Sequence, residues 1–137
     1  MDYMDNKPTQ LTATTKVLID RLHSQLLKYQ KEIEGLNLRE RVLKLLEVHQ
    51  GVNKLGIALA VEAGLSSSSA RERIRQYLLK YKDQVIEADE LSAISGILEY
   101  GRRVRELRDD GLKILTGPAR NPATGKPLRP DQYLLLE

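Results

Sequence analysis

Four arginines fall within seven residues of the stretch "LEYGRRVRELRDDGLKILTG", Leu98 to Gly117. A guanidinium is a planar fork of donors that can hold a phosphate or the O6 and N7 edge of guanine. At 100° per residue, Tyr100, Val104 and Leu107 share one side of a helix, while Arg102, Arg105, Glu106 and Asp109 face away and Arg103 and Arg108 lie on the flanks. That geometry makes Arg102 and Arg105 the leading candidates for contact with DNA, with Arg103 and Arg108 beside them. The same spacing also permits a merely solvated helix, in which Arg102 pairs with Glu106 and Arg105 with Asp109, each pair contributing only about 0.2–0.5 kcal/mol. Asp109 and Asp110 would repel phosphate, but they stand at the helix C-terminal end, away from the part that usually meets bases.

A second set of cations follows the helix. Lys113, Arg120, Lys126 and Arg129 stand against only Asp131 between Leu112 and Asp131. A basic loop there fits a phosphate backbone or a minor groove, and a long loop in a compact domain is more often functional than idle. Arg71, Arg73 and Arg75 form a weaker candidate, following "GIALAVEAGLSSSS", where Ala60 and Gly64 have the spacing that lets two helices cross closely.

Other chemistries lack their residues. His23 and His49 have no spaced carboxylate partner, so neither suggests a metal pair. Phosphate-binding glycine loop, nucleophile elbow and zinc-binding His-Glu pattern are all missing, and no cofactor is expected. The ending "PDQYLLLE" carries a Pro-Asp pair of the kind found in nucleases, without the Glu-x-Lys that should follow. No catalytic site is expected in this stretch of chain.

The elements that must position these residues are legible from periodicity and breakers. Residues 1–10 are polar, aperiodic and contain Pro8, which suggests a loose tail. Ile19, Leu22, Leu26, Tyr29, Ile33 and Leu36 then recur at spacings of three and four, one stripe of a helix. Its length of about two and a half heptads favours packing on the rest of the chain over a coiled coil, with a homodimer through Ile19, Leu22, Leu26, Tyr29 and Ile33 as the alternative. "NLRERVLKLLEVHQG" predicts a helix ending at Gly51, and "VNKLGIALAVEAGL" a further one, apolar enough to be buried on several sides and closed by Gly64.

Ser69 and Glu72 have capping-box spacing ahead of a helix whose buried stripe is Ile74, Tyr77, Leu78 and Tyr81. Next come a short strand at "QVI", a short helix at "ADELSAISG" ending at Gly96, the arginine helix ending at Gly111, and strands "LKILT" and "QYLLL". The latter two flank "GPARNPATGKPLRPD", whose Pro and Gly content argues for an irregular hairpin loop.

From Ala70 the order is helix, short strand, helix, helix, strand, loop, strand. The expected fold is therefore mainly α with a small β-hairpin wing: a winged helix-turn-helix over 67–137 preceded by a helical region over 11–66. The core must be aliphatic, since 137 residues contain no Phe, no Trp and six Tyr. That scarcity also excludes a stacking platform for unpaired bases. Charge is nearly balanced, 22 Lys and Arg against 19 Asp and Glu, so only local clustering can attract nucleic acid. No Cys and no long apolar run are present, which points to a reducing, cytoplasmic setting without a membrane span.

The stretch from "ARERIRQYLLKYKDQVIEADELSAISGILEYGRRVRELRDDGLKILTG" through "LRPDQYLLLE", roughly the C-terminal half, resembles winged-helix domains found beside HNH-type nuclease modules in bacterial restriction endonucleases. "SGILEYGRRVRELRDDG" and "LRPDQYLLLE" are its most specific pieces, and "LG…AGLSSSSARERI" resembles the lead-in seen in such proteins. The loop "GPARNPATGKP" is longer than that family's pattern, and no HNH module is present. The resemblance implies a domain that recognises or positions double-stranded DNA for a nuclease located elsewhere, and a chain ending straight after its last strand is compatible with an excised domain. A transcriptional regulator is the rival among DNA binders, and a dimerisation or interaction module using the 19–36 stripe is the rival outside them.

Overall fold

The computed structural model describes residues 10–136, so all but one residue of the expected tail lie outside the described residues. Over the described part the chain is mainly helical with one small antiparallel sheet. The order is α1 (Ala13–Glu32), α2 (Leu38–Glu62), α3 (Ala70–Lys80), β1 (Ile86–Glu87), α4 (Ala88–Ser95), α5 (Tyr100–Asp109), β2 (Ile114–Thr116) and β3 (Gln132–Leu135).

Helices α1 and α2 form an antiparallel hairpin tied at both ends. At one end the Glu62 carboxylate accepts from the Thr15 hydroxyl at 2.6 Å and from the Thr12 backbone N–H at 3.2 Å. Those bonds hold Glu62 below the usual carboxylate range, the Thr15 bond foremost. At the other end Asn37 and Glu40 cap α2 reciprocally, and Arg41 Nε donates to the carbonyls of Ile33 and Leu36.

Three expectations about α2 are corrected. Gly51 does not end a helix; α2 runs unbroken through it, because the glycine lies against α1. A Cβ there would come within 2.7 Å of Gln25 Oε1 and 3.3 Å of Leu22 Cδ1. Nor is the segment 55–61 buried all round: Leu59 and Val61 are exposed, Leu55, Ile57 and Ala58 are half-buried, and Gly56 and Ala60 are buried, with α4 packed at Gly56. The close crossing is at Gly56, whose Cβ would collide with the Ala93 carbonyl, and not at the pair Ala60 and Gly64. Gly64 stands in open space with φ +94° and turns the chain out of α2.

The core lies in the second half. Ile74, Leu78, Ile86, Leu91, Val104, Leu107, Ile114 and Leu135 pack together, with Tyr77, Tyr81, Ile94, Tyr100, Leu112 and Tyr133 against them. Ser69 Oγ accepts from the Glu72 N–H at 3.1 Å and so begins α3, but the capping box is half formed, because the Glu72 carboxylate is taken by Arg75. Gly96, at φ +72°, ends α4 in the left-handed conformation, as its position in "ADELSAISG" predicts.

The sheet order is β1-β3-β2, with Ile86 opposite Tyr133 and Ile114 opposite Leu135. Three helices with this sheet are consistent with a winged helix. The loop between β2 and β3 departs from the expected irregularity: Arg120 and Pro127 form a bridge, and Leu128 N–H and Asn121 N–H donate across it to Ala119 O and Lys126 O. Leu128 is buried beneath, which gives the wing a ladder and an anchor.

Candidate nucleic-acid interface

Helix α5 is amphipathic in the sense its spacing predicts, with Val104 and Leu107 buried and Arg102 and Arg105 exposed. The ion pairs differ from those that a merely solvated helix would form. Arg103 Nη1 binds Glu106 at 2.7 Å, three residues on, so Arg102 does not hold that carboxylate, and Glu106 is pulled below its ordinary range by the Arg103 bond. Asp110 is bound by Arg71 of α3, which neutralises one of the two acids at the C-terminal end. Arg105 does not pair with Asp109. Among the described residues neither Arg102 nor Arg105 makes a hydrogen bond or close ion pair through its side chain, and both are exposed, although Arg102 lies near enough to Glu106 for its charge to help lower that carboxyl.

The other arginines of the set are partly engaged. Arg108 Nε donates to Ile114 O at 2.8 Å and ties α5 to β2. Arg120 Nη1 folds across its loop to Gly125 O at 2.7 Å. Arg129 binds Glu87 at 3.0 Å and Asp131 at 3.3 Å, so the wing's charge is opposed by a β1 carboxylate as well as by Asp131. Lys113 and Lys126 are exposed, with no side-chain partner among the described residues.

Between α5 and the root of the wing lies an open cleft of about 670 Å³ that brings together Arg102, Arg105 and Arg108 on one wall. Tyr100 and Tyr133 also line it, and burial pushes the Tyr133 phenol up. Lys113, Arg120 and Lys126 do not line it. Leu98, 84% exposed, stands at its lip just before α5. Sequence spacing alone missed the two tyrosines and Leu98 as members of the site: it places Tyr100 on the core side of α5, and nothing in "QYLLL" distinguishes Tyr133 from its apolar neighbours.

The weaker candidate at 71–75 is spent on structure. Arg73 is 4% exposed and donates to Ile94 O at 2.9 Å, Ser95 O at 2.8 Å and Ser66 O at 3.1 Å. Arg71 is held by Asp110 and Arg75 by Glu72. The stripe expected as a dimer seam is likewise divided: Leu22 and Tyr29 are half-buried, Leu22 against α2 at Gly51, Ile19 and Leu26 are exposed, and Ile33 caps α1.

Residues 71–136 match the family model described as the KpnI N-terminal domain. This part of the chain is similar to a restriction-enzyme-related domain. The match runs from the first turn of α3 to the residue after β3, and so contains both walls of the cleft. Neither the curated proteins nor the solved structures gave a match. No helix among the described residues is long and apolar enough to cross a membrane.

Proposed function

We propose that residues 67–137 bind double-stranded DNA as a winged helix, serving as the recognition or positioning domain of a restriction endonuclease whose nuclease module lies outside this sequence. The observation that carries the reading is the pair of exposed guanidinium groups, Arg102 and Arg105, free of close ion pairs on the outward face of α5 beside the cleft. The similarity of residues 71–136 to the KpnI N-terminal domain supports it.

In this reading the first turns of α5 enter the major groove, where Arg102 and Arg105 meet guanine edges or phosphate. Lys113, Arg120 and Lys126 hold backbone phosphates from the wing side. Arg103, Arg108 and Arg129 keep α5 and the wing in place and contribute charge at short range. Base preference comes from the helix and salt-dependent affinity from the wing.

Fluorescence anisotropy on a mixed-sequence duplex across a salt series tests the assignment. Wild type is expected to bind with a steep salt dependence, and Lys113→Ala/Lys126→Ala to lose about 0.9 from the slope for each phosphate contact removed. Arg102→Ala/Arg105→Ala is expected to weaken binding and flatten discrimination among duplexes. Absence of binding at low salt would overturn the proposal.

A further inference from the structure

Leu98 is the most exposed large apolar side chain among the described residues, at 84%. It stands on the turn between α4 and α5 and lines the cleft together with Glu99, Arg102 and Arg105. A single leucine on an open surface needs no explanation. This one is held out by its neighbours. Ser92 Oγ donates to the Ile97 carbonyl and the Ile97 N–H donates to Ser95 Oγ, each at 3.3 Å, and Ser95 is itself buried. On the other side the Glu99 carbonyl accepts from the Arg103 N–H at 3.4 Å. Leu98 is therefore presented from a backbone tied down both before and after it.

The chemistry around it narrows what it can meet. Leu79 and Val85 are the other large apolar side chains exposed between 63 and 136, and neither lines the cleft. Leu98 thus belongs to no apolar patch of the size that a protein partner or a lipid surface uses. Glu99 beside it is exposed, and its charge repels phosphate, so this end of the lip is not made for the DNA backbone. Arg102 and Arg105 on the same lip call for acceptors. A surface that offers acceptors to two guanidinium groups and an apolar group to the leucine beside them is the major-groove edge of neighbouring base pairs. There guanine presents O6 and N7, and a pyrimidine methylated at C5 presents its methyl group.

We propose that Leu98 is a specificity-determining residue that packs on the C5-methyl group of a pyrimidine, thymine or 5-methylcytosine, close to the guanine met by Arg102 or Arg105. The inference rests on the reading of α5 as the helix that enters the major groove, and it adds a class of base that the arginines cannot select. Phosphate and guanine contacts supply most of the affinity. Burying one methyl group against the leucine contributes about fourfold, which shows as a ratio between methylated and unmethylated duplexes.

Anisotropy titrations of the whole chain on three duplexes of one mixed sequence are the test: the ordinary duplex, one with every thymine replaced by uracil, and one with every cytosine replaced by 5-methylcytosine. Uracil lacks only the methyl of thymine, so phosphate charge and base hydrogen bonding are kept. Wild type is expected to bind about fourfold more weakly without the thymine methyls or about fourfold more tightly with the cytosine methyls, and the arm that responds identifies the source. Leu98→Ala is expected to bring that ratio to one while binding the duplex that lacks the methyl as wild type does. The side chain lies mostly in solvent, so the fold does not depend on it. A wild type indifferent to both replacements overturns the proposal, and so does a ratio that survives in Leu98→Ala. Binding to none of the duplexes removes the reading of α5 as well, whereas binding that is blind to the methyls removes this inference alone.

Discussion

Arg73 shows how far a side chain's role depends on what surrounds it. Three arginines at 71, 73 and 75 look alike in sequence, yet the middle one is buried and closes the C-terminal end of α4, where unpaired carbonyls and the helix dipole favour a cation. Desolvation pulls its guanidinium below the usual arginine range without depriving it of charge at any ordinary pH. Arg73→Met leaves three carbonyls short of a donor and is expected to cost about 3 kcal/mol in denaturant unfolding, with Arg73→Lys recovering only part. Tyr77 makes a second residue-scale prediction. Its hydroxyl donates to Glu90 Oε1 at 2.6 Å, and burial, with that carboxylate second, pushes its ionisation well above the ordinary value of 10.0. A raised folded-state pKa gives stability that is complete below the unfolded value and is lost as pH climbs through and beyond it. Melting temperature should therefore fall above about pH 10 more steeply in wild type than in Tyr77→Phe, which at neutral pH should be less stable by about 1 kcal/mol.

At the scale of elements, two glycines in one helix separate two kinds of close approach. Gly56→Ala drives a Cβ into the Ala93 backbone carbonyl, which can move only with α4. Its expected cost is about 1–3 kcal/mol despite the better helix propensity of alanine. Gly51→Ala meets the tips of Gln25 and Leu22, which can turn aside, and should be neutral or stabilising by up to about 1 kcal/mol. Thermal melts of the two variants side by side check the contrast. Legibility from sequence follows the same division. Ser69 ahead of α3, Gly96 after α4 and the buried stripe of Val104 and Leu107 depend on neighbours within a turn or two, and their local pattern identified them. Gly51 has the local pattern of a helix stop, and only the presence of α1 alongside makes it a contact. The α5 contacts show the same division: Arg103 takes Glu106 from three residues away, a pairing the four-residue spacing of Arg102 and Glu106 obscures, and Asp110 is held by Arg71 from another helix, which no local pattern shows.

For the whole molecule, the division of labour lies between a C-terminal unit with nearly all the buried apolar core and a hairpin with nearly all the exposed apolar surface. Apolar content predicted burial for 55–61, but two helices side by side leave part of each circumference open, and α4 packs at Gly56 and Ile57 while Leu59 and Val61 stay exposed. The eight cations marked from sequence do not form one patch either. Arg102, Arg105 and Arg108 share the cleft, whereas Lys113, Arg120 and Lys126 stand apart from it. The alanine pairs in the DNA-binding test should accordingly differ in kind, with the wing pair changing salt dependence and the helix pair changing discrimination. Arg129, already holding Glu87 and Asp131, should contribute less to the salt slope than Lys126, which Arg129→Ala and Lys126→Ala compared singly would measure.

Helix α2 runs without a break from the free end of the hairpin to the crossing with α4, a rod of about 37 Å. Its continuity through Gly51 makes it a gear shaft as well as a strut. One alanine inserted between Leu38 and Gly51 would rotate everything before it by about 100° relative to the crossing at Gly56. Seven would return that segment to within about 20° while pushing it outward by about 10.5 Å. The position of the free end of the hairpin relative to the arginine helix is thus set in steps of one helical residue, about 1.5 Å and 100° each.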